Sequence, residues 1–254
     1  MALRFVLCAF AVLAIGSAVQ DEVPQHPLDL VDSVGKGNDA AEHLLYEYEP
    51  PRSCLEVLFA VHRLQKAEII PTVLDPFDPK LTLSIFYENA TVEVGNTVDP
   101  SKTQKAPDVQ FIASVPNDLS TLAKKGMQLT LALTDPDAPS RDNPEWSEIC
   151  HWIATGVQLT NPSDDDDTTG FSKGVKTIVE YKPPGPPPKT GKHRYVFVAL
   201  APKNGTTEKL HLSTPGDRQH WGYEKERQGL RRWAEENALV AVGANFIYEQ
   251  NEKQ

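Results

Sequence analysis

The run LTLALTDPDAPSRDNPEWSEICHW, Leu129 to Trp152, joins two strand-like segments through a proline-stiffened turn. Leu129-Thr130-Leu131-Ala132-Leu133 is an apolar strand leading directly into Asp135-Pro136-Asp137-Ala138-Pro139. Two carboxylates therefore stand two residues apart at a strand end. Continued alternation points both to one side, and the prolines restrict the turn after them. Glu148-Ile149-Cys150-His151-Trp152-Ile153 follows as a second strand with a histidine inside it. Further on, Gly191-Lys192-His193-Arg194-Tyr195 opens the apolar strand Val196-Phe197-Val198-Ala199-Leu200. Two aspartates and two histidines at the ends of neighbouring strands converge on one small polar pocket.

The flanking chain supplies more strands of the same kind. Leu81 to Tyr87, Ala90 to Val94, Val109 to Ala113, Val157 to Leu159, Val175 to Tyr181 and Leu239 to Tyr248 are short apolar or alternating runs bounded by turn formers. A helix is expected from Cys54 to about Ala67, capped by Ser53, with Leu55, Leu58, Phe59 and His62 on one face. Glu224 to Asn237 also has helical character, with Leu230, Trp233 and Ala234 together. Asn204 to Leu212 reads as a hairpin-like excursion and Val98 to Lys105 as loop. Many strands and few helices predict a mainly β protein, an antiparallel β-sandwich. Lys182 to Gly191, KPPGPPPKTG, is read as a rigid loop on the pocket rim rather than a polyproline ligand. His220-Trp221-Gly222-Tyr223 is assigned to packing and Arg194 to a structural ion pair.

Bulk properties narrow the function. The 254 residues carry 25 Lys+Arg against 35 Asp+Glu, a net charge of −10. That balance argues against general nucleic-acid binding and against loose adsorption to anionic lipid, both of which need a basic face. Any bound anion is held by local donors. Arg4 precedes an apolar run from Phe5 to Ile15 that ends in Gly16-Ser17-Ala18, the pattern of a secretory signal peptide and too short to span a bilayer. Residues 1–18 are thus a leader, 19–52 a polar, proline-spotted extension, and 53–254 the folded domain. A secreted protein or one of the secretory or vacuolar lumen follows, with no transmembrane anchor. The sequons at Asn89 and Asn204 fit that route. Cys54 and Cys150 are read as free thiols, with a bridge between them left open. The four aspartates Asp164 to Asp167 lack the spacing of a calcium loop and are read as solvated.

The order TDPDAPS, WSEICHW, a Pro/Gly run leading into HRYVF, and a late WGY followed by RWAEEN and NFIY resembles the phosphatidylethanolamine-binding protein family, the Raf kinase inhibitor-like proteins. The resemblance spans roughly Val61 to Glu249 and is nearest to the carboxypeptidase Y inhibitor branch. It implies a large central antiparallel sheet, a smaller sheet on one side and helices on the other. It also implies a ligand site built from Asp135, Asp137, Trp146, His151, Gly185, Pro186, His193 and Tyr195. Such a site suits a phospholipid head group or a small phosphate-like anion, and the branch implies inhibition of a serine carboxypeptidase. In that branch the N-terminal segment engages the enzyme, whereas here a leader and a polar stretch extend it. Three other readings stand beside this one. They are lipid binding without protease inhibition, a signalling modulator, and a hydrolase that uses the Asp/His pocket. No catalytic residue, metal or cofactor is expected, because H-x-x-x-H and C-x-x-C spacings are missing.

Overall fold

The computed structural model describes residues 52–113, 127–158 and 175–253. The leader, nearly all of the extension, the side chain of Cys54 and the four-aspartate loop lie outside the described residues. Among the described residues the α-helices are α1 (Arg52–Lys66), α2 (Ile69–Thr72) and α3 (Gly229–Glu236). The strands among the described residues are β1 (Leu81–Tyr87), β2 (Ala90–Val92), β3 (Asn96–Thr97), β4 (Asp108–Ala113), β5 (Gln128–Asp135), β6 (Ile149–Gln158), β7 (Lys176–Val179), β8 (Lys192–Pro202) and β9 (Leu239–Gln250).

The strands form two sheets. One has six strands in the order β3-β9-β8-β5-β6-β7, the other three in the order β2-β1-β4. All pairings are antiparallel except β3 with β9. One face of the large sheet meets the small sheet through Leu83, Ile85, Phe111, Leu131, Leu133, Phe197 and Ile247. The other face is covered by the helices through Leu64, Ile69, Ile153, Val198, Leu230 and Trp233. Burial on both faces explains why β8 is a continuous apolar run rather than an alternating one. Each large side chain so buried contributes about 1.5–3 kcal/mol. The small sheet is pinned by Asn245 Nδ2, which donates to Leu83 O at 2.9 Å. Gly243 permits the close approach, since a Cβ there would lie 2.6 Å from Leu81 O.

The predicted sandwich and its helix-covered face are present, with local corrections. Val157 to Leu159 is not a separate strand. Leu129 pairs with Val157 and Thr130 with Thr155, which leaves Gly156 as an extra residue at φ 90° inside one long β6. A glycine takes that conformation without strain, so β6 bulges instead of ending. Asn204 to Leu212 forms no hairpin and is irregular. The second helix is shorter than expected because Glu224 and Arg227 sit at φ 55° and 53°, outside helical space. Its buried face is the expected one: Leu230, Trp233 and Ala234. On α1 the buried set is Val57, Leu58, Ala60, Val61, His62 and Leu64, while Leu55 and Phe59 are half-buried. β3 lies between the expected strand at Ala90 to Val94 and the expected loop at Val98 to Lys105, and its two polar residues offer no strand pattern.

Candidate functional site

The end of β5, the start of β6, the start of β8 and the end of β9 meet at one end of the large sheet, on the side facing the small sheet. Leu133 pairs with Trp152 and Thr134 with Cys150, so His151 is the extra residue of a β-bulge. The bulge frees His151 from strict alternation and lets its ring meet Tyr195 edge-on, centroids 5.2 Å apart. Arg218 clamps this bulge, its Nη1 donating to Cys150 O at 3.0 Å and His151 O at 3.1 Å. Cys150, the neighbour, points into the helix-side core as a free thiol, and burial pushes it up to about 12.

Asp135, the last residue of β5, organises this cluster. Its Oδ2 lies 2.9 Å from His193 Nδ1, and its Oδ1 accepts the Asp137 N–H at 2.8 Å. On the far side of the ring, His193 Nε2 is 3.0 Å from Thr190 Oγ1. That hydroxyl already donates to Pro187 O at 2.8 Å, so it has only lone pairs to offer the ring. A ring with hydrogen on both nitrogens satisfies all of these partners, so the arrangement favours the imidazolium. Its pKa direction agrees: burial works against the charge, but the hydrogen bond and charge of Asp135, with Asp137 behind, raise it above the ordinary value. Asp135, His193 and Tyr195 are all almost fully buried.

His151 is set differently. Its Nδ1 donates to Lys182 O at 2.8 Å, which fixes the tautomer and leaves Nε2 as an acceptor in the neutral ring. Burial lowers its pKa against the opposing pull of Asp135. The Tyr195 hydroxyl accepts the Gly185 N–H at 3.2 Å and its own hydrogen is directed to Asp135. Pro186 is buried, and its carbonyl accepts Asn251 Nδ2 at 3.0 Å. The Pro-rich segment is thus tied down along its length.

The structure separates two residues from this group. Asp137 lies beyond the end of β5, where the Asx turn at Asp135 has bent the chain, so alternation no longer applies. Its carboxylate meets Arg194, whose side chain lies on the opposite face of β8 from His193. Arg194 Nη2 is 2.5 Å from Oδ1, Nε is 2.8 Å from Oδ2, and the Arg194 N–H is 2.9 Å from Oδ2. The guanidinium also holds Ala67 O at 2.8 Å and Glu68 O at 3.1 Å, locking the end of α1 to the sheet. Trp146 stands 45% exposed in the loop before β6. Asn89, at the β1–β2 turn, and Asn204, after β8, are exposed.

Sequence reasoning missed Thr190, the Lys182 carbonyl and Arg218. None has a motif, because backbone acceptors and long-range clamps leave no local pattern. It also missed Glu249 on β9, paired across the strands with His193. Among the described residues no group of three or more His, Cys, Asp or Glu is placed to hold a metal ion, and no helix is long and apolar enough to cross a membrane. Gly170-Phe171-Ser172-Lys173-Gly174 has the letters of a nucleophile elbow but lies outside the described residues. The element after it is strand β7, not the helix an elbow requires.

The family model "Phosphatidylethanolamine-binding protein" matches residues 88–247. Carboxypeptidase Y inhibitor of Saccharomyces cerevisiae is 34% identical over 189 residues, covering 68% of this chain and 86% of that protein. A crystal structure of carboxypeptidase Y inhibitor complexed with its cognate proteinase superimposes with TM-score 0.64 at 32% identity, covering 76% of this chain and 95% of the other. A phosphatidylethanolamine-binding protein from Plasmodium vivax shares the fold, with TM-score 0.56 at 20% identity over 76% of this chain and 97% of that one.

Proposed function

The chain belongs to the phosphatidylethanolamine-binding protein family, and from that premise we propose that it is a non-catalytic binding protein whose Asp135, His151, His193 and Tyr195 pocket takes a small phosphate-like anion or a phospholipid head group. One observation carries this reading: the buried His193 ring is held between Asp135 on one nitrogen and Thr190 on the other, an arrangement that favours the imidazolium. A buried cation whose charge is set by fixed partners needs no reorganisation to meet an anion. Gly185 and Pro186 form the rim. Asp137 supports the strand ends through Arg194 rather than touching the ligand.

His151 makes the binding proton-linked. Its neutral ring offers Nε2 as an acceptor, which repels an oxyanion, whereas its protonated ring donates there. Anion affinity therefore rises as pH falls below 6.5, the ordinary value from which burial lowers His151. Lipid recognition and signalling modulation share this pocket chemistry. Hydrolysis would demand in addition a nucleophile within reach of His151.

We infer a second role, inhibition of a serine carboxypeptidase, from the likeness that runs through 86% of carboxypeptidase Y inhibitor. The leader and the exposed Asn89 and Asn204 support a secreted or vacuolar-lumen location for both roles. The test is titration of the purified protein against a serine carboxypeptidase, with His193→Ala alongside. Inhibition by both forms identifies an inhibitor with a separate pocket. Inhibition by neither removes the second role, and turnover of a substrate by the native protein alone would establish the hydrolase instead.

A further inference from the structure

Glu249 is fully buried, and neither carboxyl oxygen has a hydrogen-bond partner. It is the cross-strand neighbour of His193, on the face of the large sheet that carries the pocket. The polar hydrogens around it are all directed elsewhere. Tyr181 OH donates to Thr103 O at 2.7 Å, which leaves the Tyr87 hydroxyl, 3.2 Å away, to donate to Tyr181. Thr103 Oγ1 lies against Glu249, but its hydrogen goes to Pro100 O at 3.1 Å. The Tyr195 hydrogen goes to Asp135. His193 has both ring nitrogens engaged by Asp135 and Thr190.

An ionised carboxylate in such a place has no donor, and the charges that bear on it most, Asp99 and Asp135, are themselves acids. A buried charge without partners takes up or releases a proton instead. Burial pushes Glu249 up to about 8, with the neighbouring Thr103 hydroxyl opposing it and Asp99 and Asp135 adding to it. With Glu249 neutral, Asp135 and His193 cancel and the pocket carries no net charge until an anion and a proton arrive. With Glu249 ionised, the same pocket is negative.

We infer that Glu249 is a positioning residue for anion binding: kept neutral behind His193, it leaves the pocket able to accept an anion, and its ionisation shuts anions out. The inference rests on the anion-binding reading of the pocket. It adds a group from β9 that shapes specificity without touching the ligand. It predicts an upper pH limit on binding, distinct from the acid-side gain that His151 supplies.

The test uses sulfate, whose charge is constant from pH 6 to 9.5. Its affinity is measured by calorimetry for the native chain and for Glu249→Gln. The carboxyl of Glu249 is followed in the native chain by carbon NMR. His193, raised above its ordinary value, also loses charge as pH rises, so the comparison between the two proteins carries the weight. Between pH 7 and 9 the native chain is expected to lose about tenfold more affinity than Glu249→Gln, the size of one unscreened charge at this range. The carboxyl signal is expected to move near pH 8. Equal pH slopes in the two proteins, or a carboxyl already ionised at pH 6, would overturn the role of Glu249 and leave the pocket reading standing. No sulfate binding by either protein at pH 6 would overturn both, with the NMR titration showing that the fault lay in the pocket reading.

Discussion

Asp135 and Asp137 are the same residue type, two positions apart, and they serve opposite faces of the large sheet. Asp135 ends β5 facing the small sheet and, by its contact with His193, favours the charged ring. Asp137 lies past the turn and is engaged by Arg194 on the helix side, where the pair ties α1 to the sheet. The first is buried against a titratable ring and the Asp137 N–H. The second is a structural ion pair with both partners buried. The difference comes from one local event, the Asx turn at Asp135, which ends the strand and with it the alternation. Two carboxylates at a strand end do not make a dyad unless the strand continues through both.

The comparison is broken most severely at Asp137. Asp137→Asn leaves the Arg194 guanidinium buried opposite a neutral amide, and loss of one partner of a buried pair costs about 3–5 kcal/mol. Denaturant unfolding is expected to show that loss, while any protein that remains folded keeps its anion affinity. A smaller change separates the two sides more finely. Thr190→Val removes the acceptor on His193 Nε2 and the bond to Pro187, at a cost of about 1 kcal/mol. The His193 ring signals in a proton NMR titration are expected to shift to lower pH, and an unchanged titration would show that Thr190 does not hold the ring's second hydrogen.

The smallest effect is on the pH dependence of stability. His193 has a folded pKa above its ordinary 6.5, so its contribution is complete below pH 6.5 and is lost as pH rises through the folded value. Glu249 pulls the same way, since an acid held protonated to about 8 loses stability relative to the unfolded chain from pH 4.5 upward. Thermal melts from pH 5.5 to 9 in a Glu249→Gln background remove that contribution; Glu148, buried and pushed up to about 7, adds a decline below that pH in every variant. The decline above pH 7 is expected to shrink when Asp135→Asn is added, and an unchanged decline there would place its origin outside this pair.

Much of this was legible in the residues. The apolar runs of β1, β5, β8 and β9 announced themselves because each buries a continuous or alternating face. Asp135, His151, His193 and Tyr195 were found because polar residues at the ends of apolar strands stand out. What the sequence concealed has physical reasons. The bulge at Gly156 makes one strand look like two, and Glu224 and Arg227 hold non-helical backbone that their side chains do not advertise. The split between Asp135 and Asp137 depends on where a strand stops, and Glu249 becomes chemically unusual only when Tyr87, Thr103 and Tyr181 close around it from distant parts of the chain.

The most direct test of the pocket is a calorimetric titration with inorganic phosphate at pH 6, comparing the native chain with Asp135→Asn. The substitution keeps the shape but removes the charge that protonates His193. The account predicts that the native chain binds, and that Asp135→Asn binds at least about tenfold more weakly while losing only about 1–2 kcal/mol of stability. Equal affinity in the two proteins would contradict it, because the His193 imidazolium would then have no part in holding the anion.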